Sequence, residues 1–327
     1  MAARVRARQT PTSFRLTVEH GTGYEALLGL SMFAGDEPQG SYEVGKAWFV
    51  KARAAAPREL TEAVRSLVGT EGAQWFLLLG MVHEAGGDQS VERLLGHLGR
   101  LPAGQVKQAF IGGRLPPGRS HDASSGAPRR LAKLGAGEVK RLTLEAIESW
   151  SRQVLPRLGD DAEVLAADAR AKRQAGRRLS ATRLIELATS GVVYEGEAGI
   201  DQVLLVPSVV TRPWVTISEW DSLKLICYPA QAGEPSSGDS EDQRLATIYR
   251  ALGDETRLRL LRALSAGDRG VTELAEALGM AKSTIHEQLA ALRSAGLIRV
   301  NIGADKRYGL RPGLPDLSRL LKDYLKH

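Results

Sequence analysis

Between Ala251 and Leu310 the apolar positions change period in a fixed order. Leu258, Leu261 and Leu264 follow Asp254 at helical spacing, and the Asp254 carboxylate is expected to cap that helix. Leu274, Ala275 and Leu278 repeat the pattern after Thr272, the expected cap of a second, shorter helix. Gly279 ends it, because glycine tolerates the left-handed geometry of a helix stop. Ile285, Leu289 and Leu292 then lie on one stripe of a third helix, expected over residues 282–295, with Gly296 as its stop. Leu297-Ile-Arg-Val300 reads as a strand, Asn301 to Asp305 as a turn, and Lys306 to Leu310 as the returning strand. Helix, helix, tight turn, helix and basic hairpin in this order predict a winged helix-turn-helix, an architecture suited to the major groove of double-stranded DNA.

The polar positions sharpen the expectation. Opposite the buried stripe the third helix presents Lys282, Ser283, Thr284, His286 and Gln288, side chains that can reach base edges and nearby phosphates. Glu287 shares this surface; it either accepts a hydrogen bond from cytosine N4 or turns away from phosphate. Lys306, Arg307 and Arg311 are expected to meet the DNA backbone. Taken alone, the hairpin tip reads as a solvated turn; after a helix-turn-helix it reads as a wing.

Upstream the pattern is mostly helical. Phe14 to Val18 alternates like a strand, Ser90 to Arg100 reads as a helix, and so does Val139 to Leu155, with Leu142, Leu144, Ile147, Trp150 and Val154. Residues 160–178 form a helix that begins acidic and ends basic, in accord with the helix dipole. Val192 to Tyr194, Val203 to Val210, Pro213 to Ile217 and Leu223 to Tyr228 are expected to form a small antiparallel sheet, a closing β-meander. Residues 231–242, polar and rich in small side chains, read as a flexible linker. The chain therefore divides into a helical α+β domain over 1–230, the linker, and a winged helix over 243–327; the fold class is mainly α with small β elements.

Composition adds modest support. The chain has 327 residues, enough for two cores. Of its net charge of +6, residues 241–327 carry 15 basic and 11 acidic groups, so positive charge concentrates where phosphates would be met. Cys227 is the single cysteine, which excludes an intrachain disulfide, and its setting suggests a small buried residue. The N-terminus lacks the apolar segment of a signal peptide, and the longest apolar stretch, Trp75 to Val82, is too short to span a bilayer. A cytoplasmic protein without membrane association is expected.

Three stretches, Ala251-Leu-Gly-Asp-Glu-Thr-Arg-Leu-Arg-Leu-Leu, Ser283-Thr-Ile-His-Glu-Gln-Leu and Leu292-Arg-Ser-Ala-Gly-Leu-Ile, make residues 244–324 resemble the ArsR/SmtB family of bacterial transcriptional regulators. The resemblance implies a homodimer joined through the first helix (near 243–252) and the last (near 314–325). Leu317, Leu320, Leu321 and Tyr324 give that last helix the apolar face such a contact requires. Metal-sensing members carry cysteines on the helix before the recognition helix, or acid and histidine ligands on the final one. Residues 272–278 contain no cysteine and only His327 lies near the final helix, so no metal site is expected. Ala281 stands where relatives usually have a serine cap, a loss of about 1 kcal/mol in local helix stability. Residues 204–209 and 228–230 loosely resemble the N-terminal regions of some large ArsR-type regulators, which implies no particular ligand.

No catalytic set is legible upstream, and no cofactor is expected. His83-Glu84 lacks a second histidine at zinc-protease spacing, and Gly21-Thr-Gly23 lacks the rest of a dinucleotide fingerprint. His121-Asp122 sits in a Pro-, Ser- and Gly-rich stretch from 114 to 130 that reads as a surface loop. His20 and His97 look isolated; the five tryptophans fill the core or line an apolar pocket. The expected partners are a roughly palindromic operator, a second copy of the chain and a small-molecule effector at the N-terminal domain. The expected role is that of a dimeric repressor. The alternatives are a winged helix used for protein contacts, or a regulator fused to an unrecognised enzyme.

Overall fold

The computed structural model describes residues 13–36, 39, 42–112, 114, 126–231, 239–302, 306–311 and 324, with the backbone alone for 239–244. The chain is mainly helical with two small sheets. Strand β1 (Arg15–Val18) leads into helices α1 (Thr22–Ala34), α2 (Gly45–Ala55), α3 (Arg58–Val68), α4 (Leu79–Ala85), α5 (Val91–Arg100), α6 (Ala103–Phe110) and α7 (Gly126–Lys133). Helix α8 (Ala136–Ser149) runs through one π turn at Trp150–Val154 into the short α9 (Leu155–Leu158). Helices α10 (Ala162–Gly176) and α11 (Ala181–Ala188) precede β2 (Val192–Tyr194), β3 (Gln202–Ser208), β4 (Thr216–Trp220) and β5 (Leu223–Pro229). The C-terminal elements are α12 (Asp239–Leu252), α13 (Glu255–Ser265), α14 (Val271–Leu278), α15 (Lys282–Ser294), β6 (Ile298–Ile302) and β7 (Arg307–Leu310).

The upstream strands do not form the expected antiparallel meander. One sheet has the order β1-β3-β5-β4, with β1–β3 and β3–β5 parallel and only β4–β5 antiparallel. The connections explain this. Asp221 and Ser222 join β4 to β5, a turn short enough for an antiparallel hairpin, and Asp221 takes the left-handed conformation. The chain from β3 instead crosses to the far side before β4, so β5 returns beside β3 in the same direction. All the intervening helices separate β1 from β3, and a crossover of that kind yields parallel pairing. Strand β2 leaves this sheet altogether, and α7 occupies part of the stretch expected as a loop over 114–130.

The sheet is buried on both faces, which is why β3 and β5 read as nearly continuous apolar runs. Side chains alternate across a strand. Leu204, Val206, Leu225 and Cys227 join the core built around α1, α3 and α8. Val203, Leu205, Ile226 and Tyr228 join a second core with Leu184 and Ile185 of α11. That second core continues without a break into Ile248, Leu260, Leu264, Leu274 and Leu289 of the C-terminal helices. Head and body thus share apolar contact, and residues 232–238 of the expected linker lie outside the described residues.

Candidate nucleic-acid interface

The C-terminal elements are set by local signals. Asp254 accepts the Arg257 backbone N–H at 3.0 Å and caps α13. Leu260 and Leu264 are buried and Leu261 half-buried, whereas Leu258, expected in the same stripe, is largely exposed. Helix α14 begins one residue before Thr272, so Thr272 is not its cap; Glu273 reaches back to accept the Gly270 N–H at 3.2 Å. Gly279 adopts the left-handed conformation at φ +66° and turns the chain into α15, whose cap position Ala281 offers no side-chain acceptor. Ile285, Leu289 and Leu292 are buried, as the spacing requires. Strands β6 and β7 pair antiparallel, and Arg269 bridges to Tyr308 as a third, one-residue strand. The result is a winged helix-turn-helix.

The expected reading surface is divided among different surroundings. Lys282, Ser283 and His286 are exposed, and Thr284, Glu287 and Gln288 are half-buried. The Gln288 carbonyl oxygen lies 3.5 Å from an Arg257 guanidinium nitrogen, which turns it toward α13. Partial desolvation and the neighbouring Lys306 cation hold the His286 imidazole below its ordinary pKa, so it is neutral at pH 7 and can donate and accept. Lys306 is exposed on the wing with its ammonium 5.7 Å from the Tyr308 ring centre. Desolvation and the nearby Arg293 lower its pKa.

Arg307 is already engaged. Its guanidinium sits 3.2 Å from both carboxylate oxygens of Glu273 and donates to the Asp268 carbonyl. Hydrogen bonding from Arg307 in turn holds the Glu273 carboxyl below its usual range. Arg311 stands at the base of the hairpin, where its backbone N–H donates to Leu297 O at 3.2 Å, and its guanidinium lies beside Gly296. Of the expected interface helix, Leu317, Leu320 and Leu321 lie outside the described residues, and Tyr324 is helical with an exposed side chain.

One residue that periodicity could not single out organises the whole arrangement. Arg293, on α15, is 5% exposed and donates through separate guanidinium nitrogens to the carbonyl oxygens of Thr189 and Pro213, both in the body. Burial lowers its pKa to about 10, which leaves it charged at neutral pH. Beside it, β2 pairs in parallel with β6 in the register Val192 to Val300 and Tyr194 to Ile302. The Val300 N–H donates to Gly191 O at 2.7 Å. The free edge of the wing sheet is thereby covered, as exposed edges generally must be. A small cavity of about 60 Å³ remains between the two parts, lined by Trp214 and Val215 of the body and His286, Ala290, Arg293 and Lys306 of the head.

The sequence signature of the family described as "Bacterial regulatory protein, arsR family" matches residues 254–300. These residues form an ArsR-family domain. The chain is 34% identical over 86 residues to a transcriptional repressor SmtB homolog of Synechocystis sp., covering 26% of this chain and 65% of that protein. It is 42% identical over 55 residues to the HTH-type transcriptional regulator NmtR of Mycobacterium tuberculosis, covering 17% and 46%. It therefore spans less than two thirds of either relative's own length. Two structures of a fragment of a Mycobacterium bovis protein are also similar. A solution structure, described as the homodimeric winged helix-turn-helix DNA-binding domain of a possible ArsR-family transcriptional regulator, is 29% identical. The match covers 29% of this chain and 88% of that one, with a TM-score of 0.24. A crystal structure of a possible transcriptional regulatory protein, also 29% identical, covers 26% and 94%, with a TM-score of 0.22.

The ArsR-type head adds one surface to its own elements, the docking edge toward the body. Among the described residues no three His, Cys, Asp or Glu side chains converge as metal ligands, and no helix is long and apolar enough to cross a membrane.

Proposed function

We propose that this protein is a dimeric, DNA-binding transcriptional repressor whose operator affinity is governed through its N-terminal domain. The observation that carries the reading is the ArsR-family helix-turn-helix with Lys282, Ser283 and His286 exposed on one end of α15 and Lys306 on the adjoining wing. In this reading the chain works as three parts, the body over 1–230, a linker over 231–242 and the head over 243–327. Lys282, Ser283, Thr284, His286 and Gln288 meet base edges and neighbouring phosphates, and Lys306, Arg307 and Arg311 meet the backbone. Arg307 must then exchange Glu273 for phosphate.

Two heads, joined through the last helix with Leu317, Leu320, Leu321 and Tyr324 in the contact, enter successive major grooves about 34 Å apart on a roughly palindromic operator. His286 and Lys306 share a cavity with Trp214 and Val215, so docking of the head narrows the approach to part of the reading surface. A change in docking is therefore a change in operator affinity. The signal is not a thiolate-bound metal: residues 272–278 hold no cysteine.

Fluorescence anisotropy with the DNA upstream of the protein's own coding sequence tests the proposal. Preference over competitor DNA by about a hundredfold or more is expected. Equal affinity for both would overturn it, and a monomer in native mass spectrometry would overturn the dimer.

A further inference from the structure

A cavity of about 440 Å³ lies between α1, α9 and the start of α10. That volume suits a small organic molecule. Trp48, Leu155, Leu165 and Val210 supply apolar wall. The polar lining is acidic: Glu25, Glu92, Asp160 and Asp161 contribute carboxyls, and none of the described lining residues is lysine or arginine. Arg212, outside the lining, has its Nε and one terminal nitrogen buried without a hydrogen-bond partner, and its charge opposes the desolvation that raises the Asp161 pKa.

Glu25 distinguishes this cavity from an ordinary acidic surface. Its side chain is 8% exposed, and Oε1 accepts the Val209 and Val210 N–H groups at 2.9 and 2.7 Å. Oε2 is buried and has no hydrogen-bond partner. A buried carboxylate oxygen without a donor is costly, and proteins seldom leave one so. A donor that enters the cavity with a positive charge supplies the missing hydrogen bond and favours the ionised form of Glu25 that burial otherwise disfavours. Trp48, packed against Phe49 and Trp150, lines the same cavity.

We propose that this cavity binds an organic ammonium ion carrying an apolar, aromatic-sized body, with its N–H donated to Glu25 and its charge held by Asp161. Binding reaches the head along a short stretch of backbone. Glu25 holds Val209 and Val210, and three residues further the Pro213 carbonyl accepts from Arg293 of α15, with Trp214 closing the cavity beside His286. A ligand that takes over Glu25 loosens or shifts this strap. The coupling rests on the regulatory function proposed above; the binding does not.

The test uses the full chain and three molecules of one shape, 4,4-diphenylbutylamine, 4,4-diphenylbutanol and 4,4-diphenylbutyrate, titrated by calorimetry in the absence of DNA. The amine is expected to bind about tenfold or more tightly than the alcohol, and the carboxylate not to bind. Glu25→Gln and, at the rim, Asp161→Asn should each weaken the amine and bring it closer to the alcohol. Equal binding of amine and alcohol to the unaltered protein would overturn the site, as would undiminished amine affinity in Asp161→Asn should Glu25→Gln not fold. Operator affinity is then measured with and without the amine. A shift that Asp161→Asn reduces supports the coupling; amine binding that leaves operator affinity unchanged overturns it. A chain that bound no operator would fail the regulatory reading alone, because the calorimetry needs no DNA.

Discussion

The Arg293 guanidinium, carried by the recognition helix, donates to the carbonyl oxygen of Pro213 in the N-terminal body. A second nitrogen of the same group donates to Thr189 O, so one buried cation closes two backbone acceptors on the far side of the interface. Neither carbonyl needs a charged partner to exist in water, but both lose water when the head docks. The reading helix is thereby tied to the body at the end opposite its exposed Lys282 and Ser283.

Replacing Arg293 with alanine should leave those two carbonyls buried without a donor and cost about 2–3 kcal/mol. The expected result is a lower urea midpoint and faster cleavage by subtilisin, a protease of broad specificity, between residues 231 and 242, where the head would separate from the body. Retention of the original midpoint and cleavage rate would show that Arg293 does not hold the two together.

Gly191 offers an independent way to part them. It sits at φ +120°, and a Cβ there would lie 2.8 Å from Ile298 O, against the backbone of the wing. Gly191→Val should therefore push β2 away from β6 at a cost of about 1–3 kcal/mol. Hydrogen exchange at Val300, whose N–H donates to Gly191 O, should quicken while the amides of β3 and β5 stay protected. Unchanged exchange at Val300 would refute the pairing.

The head was far more legible than its attachment, and the reason is physical. Helical periodicity, the Asp254 cap and the left-handed glycines at 279 and 296 are local signals, and each lies within one turn of the structure it governs. Cross-chain pairing has no such signal. Val192 to Tyr194 reads as a strand in either sheet, and nothing in three residues states that the partner is β6 rather than β3. The parallel order of β3 and β5 was hidden for the same reason, since an antiparallel meander would bury the same alternating side chains. Arg293 escaped notice because a lone arginine near a helix end usually reaches solvent, and only the fold places two carbonyls around it. Leu258 shows the converse error: it has helical spacing, yet its exposure puts it outside the core.

The wing cations should not contribute equally to DNA affinity. Lys306 has no carboxylate partner among its described contacts, whereas Arg307 is held by Glu273 and Asp268 O. Lys306→Ala should weaken binding to all sequences alike and reduce the slope of log affinity against log salt by about 1. Arg307→Ala should reduce it less, because phosphate must compete with Glu273, and Glu273→Gln should restore the larger effect. Equal slopes for the two alanine variants, measured by anisotropy at several salt concentrations, would refute this ranking.

Glu25 predicts a pH dependence with a definite sign. Burial, with a smaller push from Asp161, raises its carboxyl from the ordinary 4.5 to about 7, against the lowering effect of the Val210 and Val209 hydrogen bonds and of the nearby Ser208 hydroxyl. A group whose folded pKa lies above its unfolded value contributes stability that is complete below the unfolded pKa and is lost as pH rises through the folded one. The unaltered protein should therefore lose stability between about pH 4.5 and 7 as Glu25 ionises, by an amount on the order of 3 kcal/mol. Glu25→Gln keeps an amide oxygen for Val209 and Val210 and removes the titration. Groups that do not interact with Glu25, including the Glu19 and His83 pair, titrate in both proteins and cancel in the difference. Denaturant melts at pH 5 and pH 8 should show the variant gaining on the parent at the higher pH. A difference between the two proteins that did not change with pH would mean that Glu25 ionises as freely in the fold as in water.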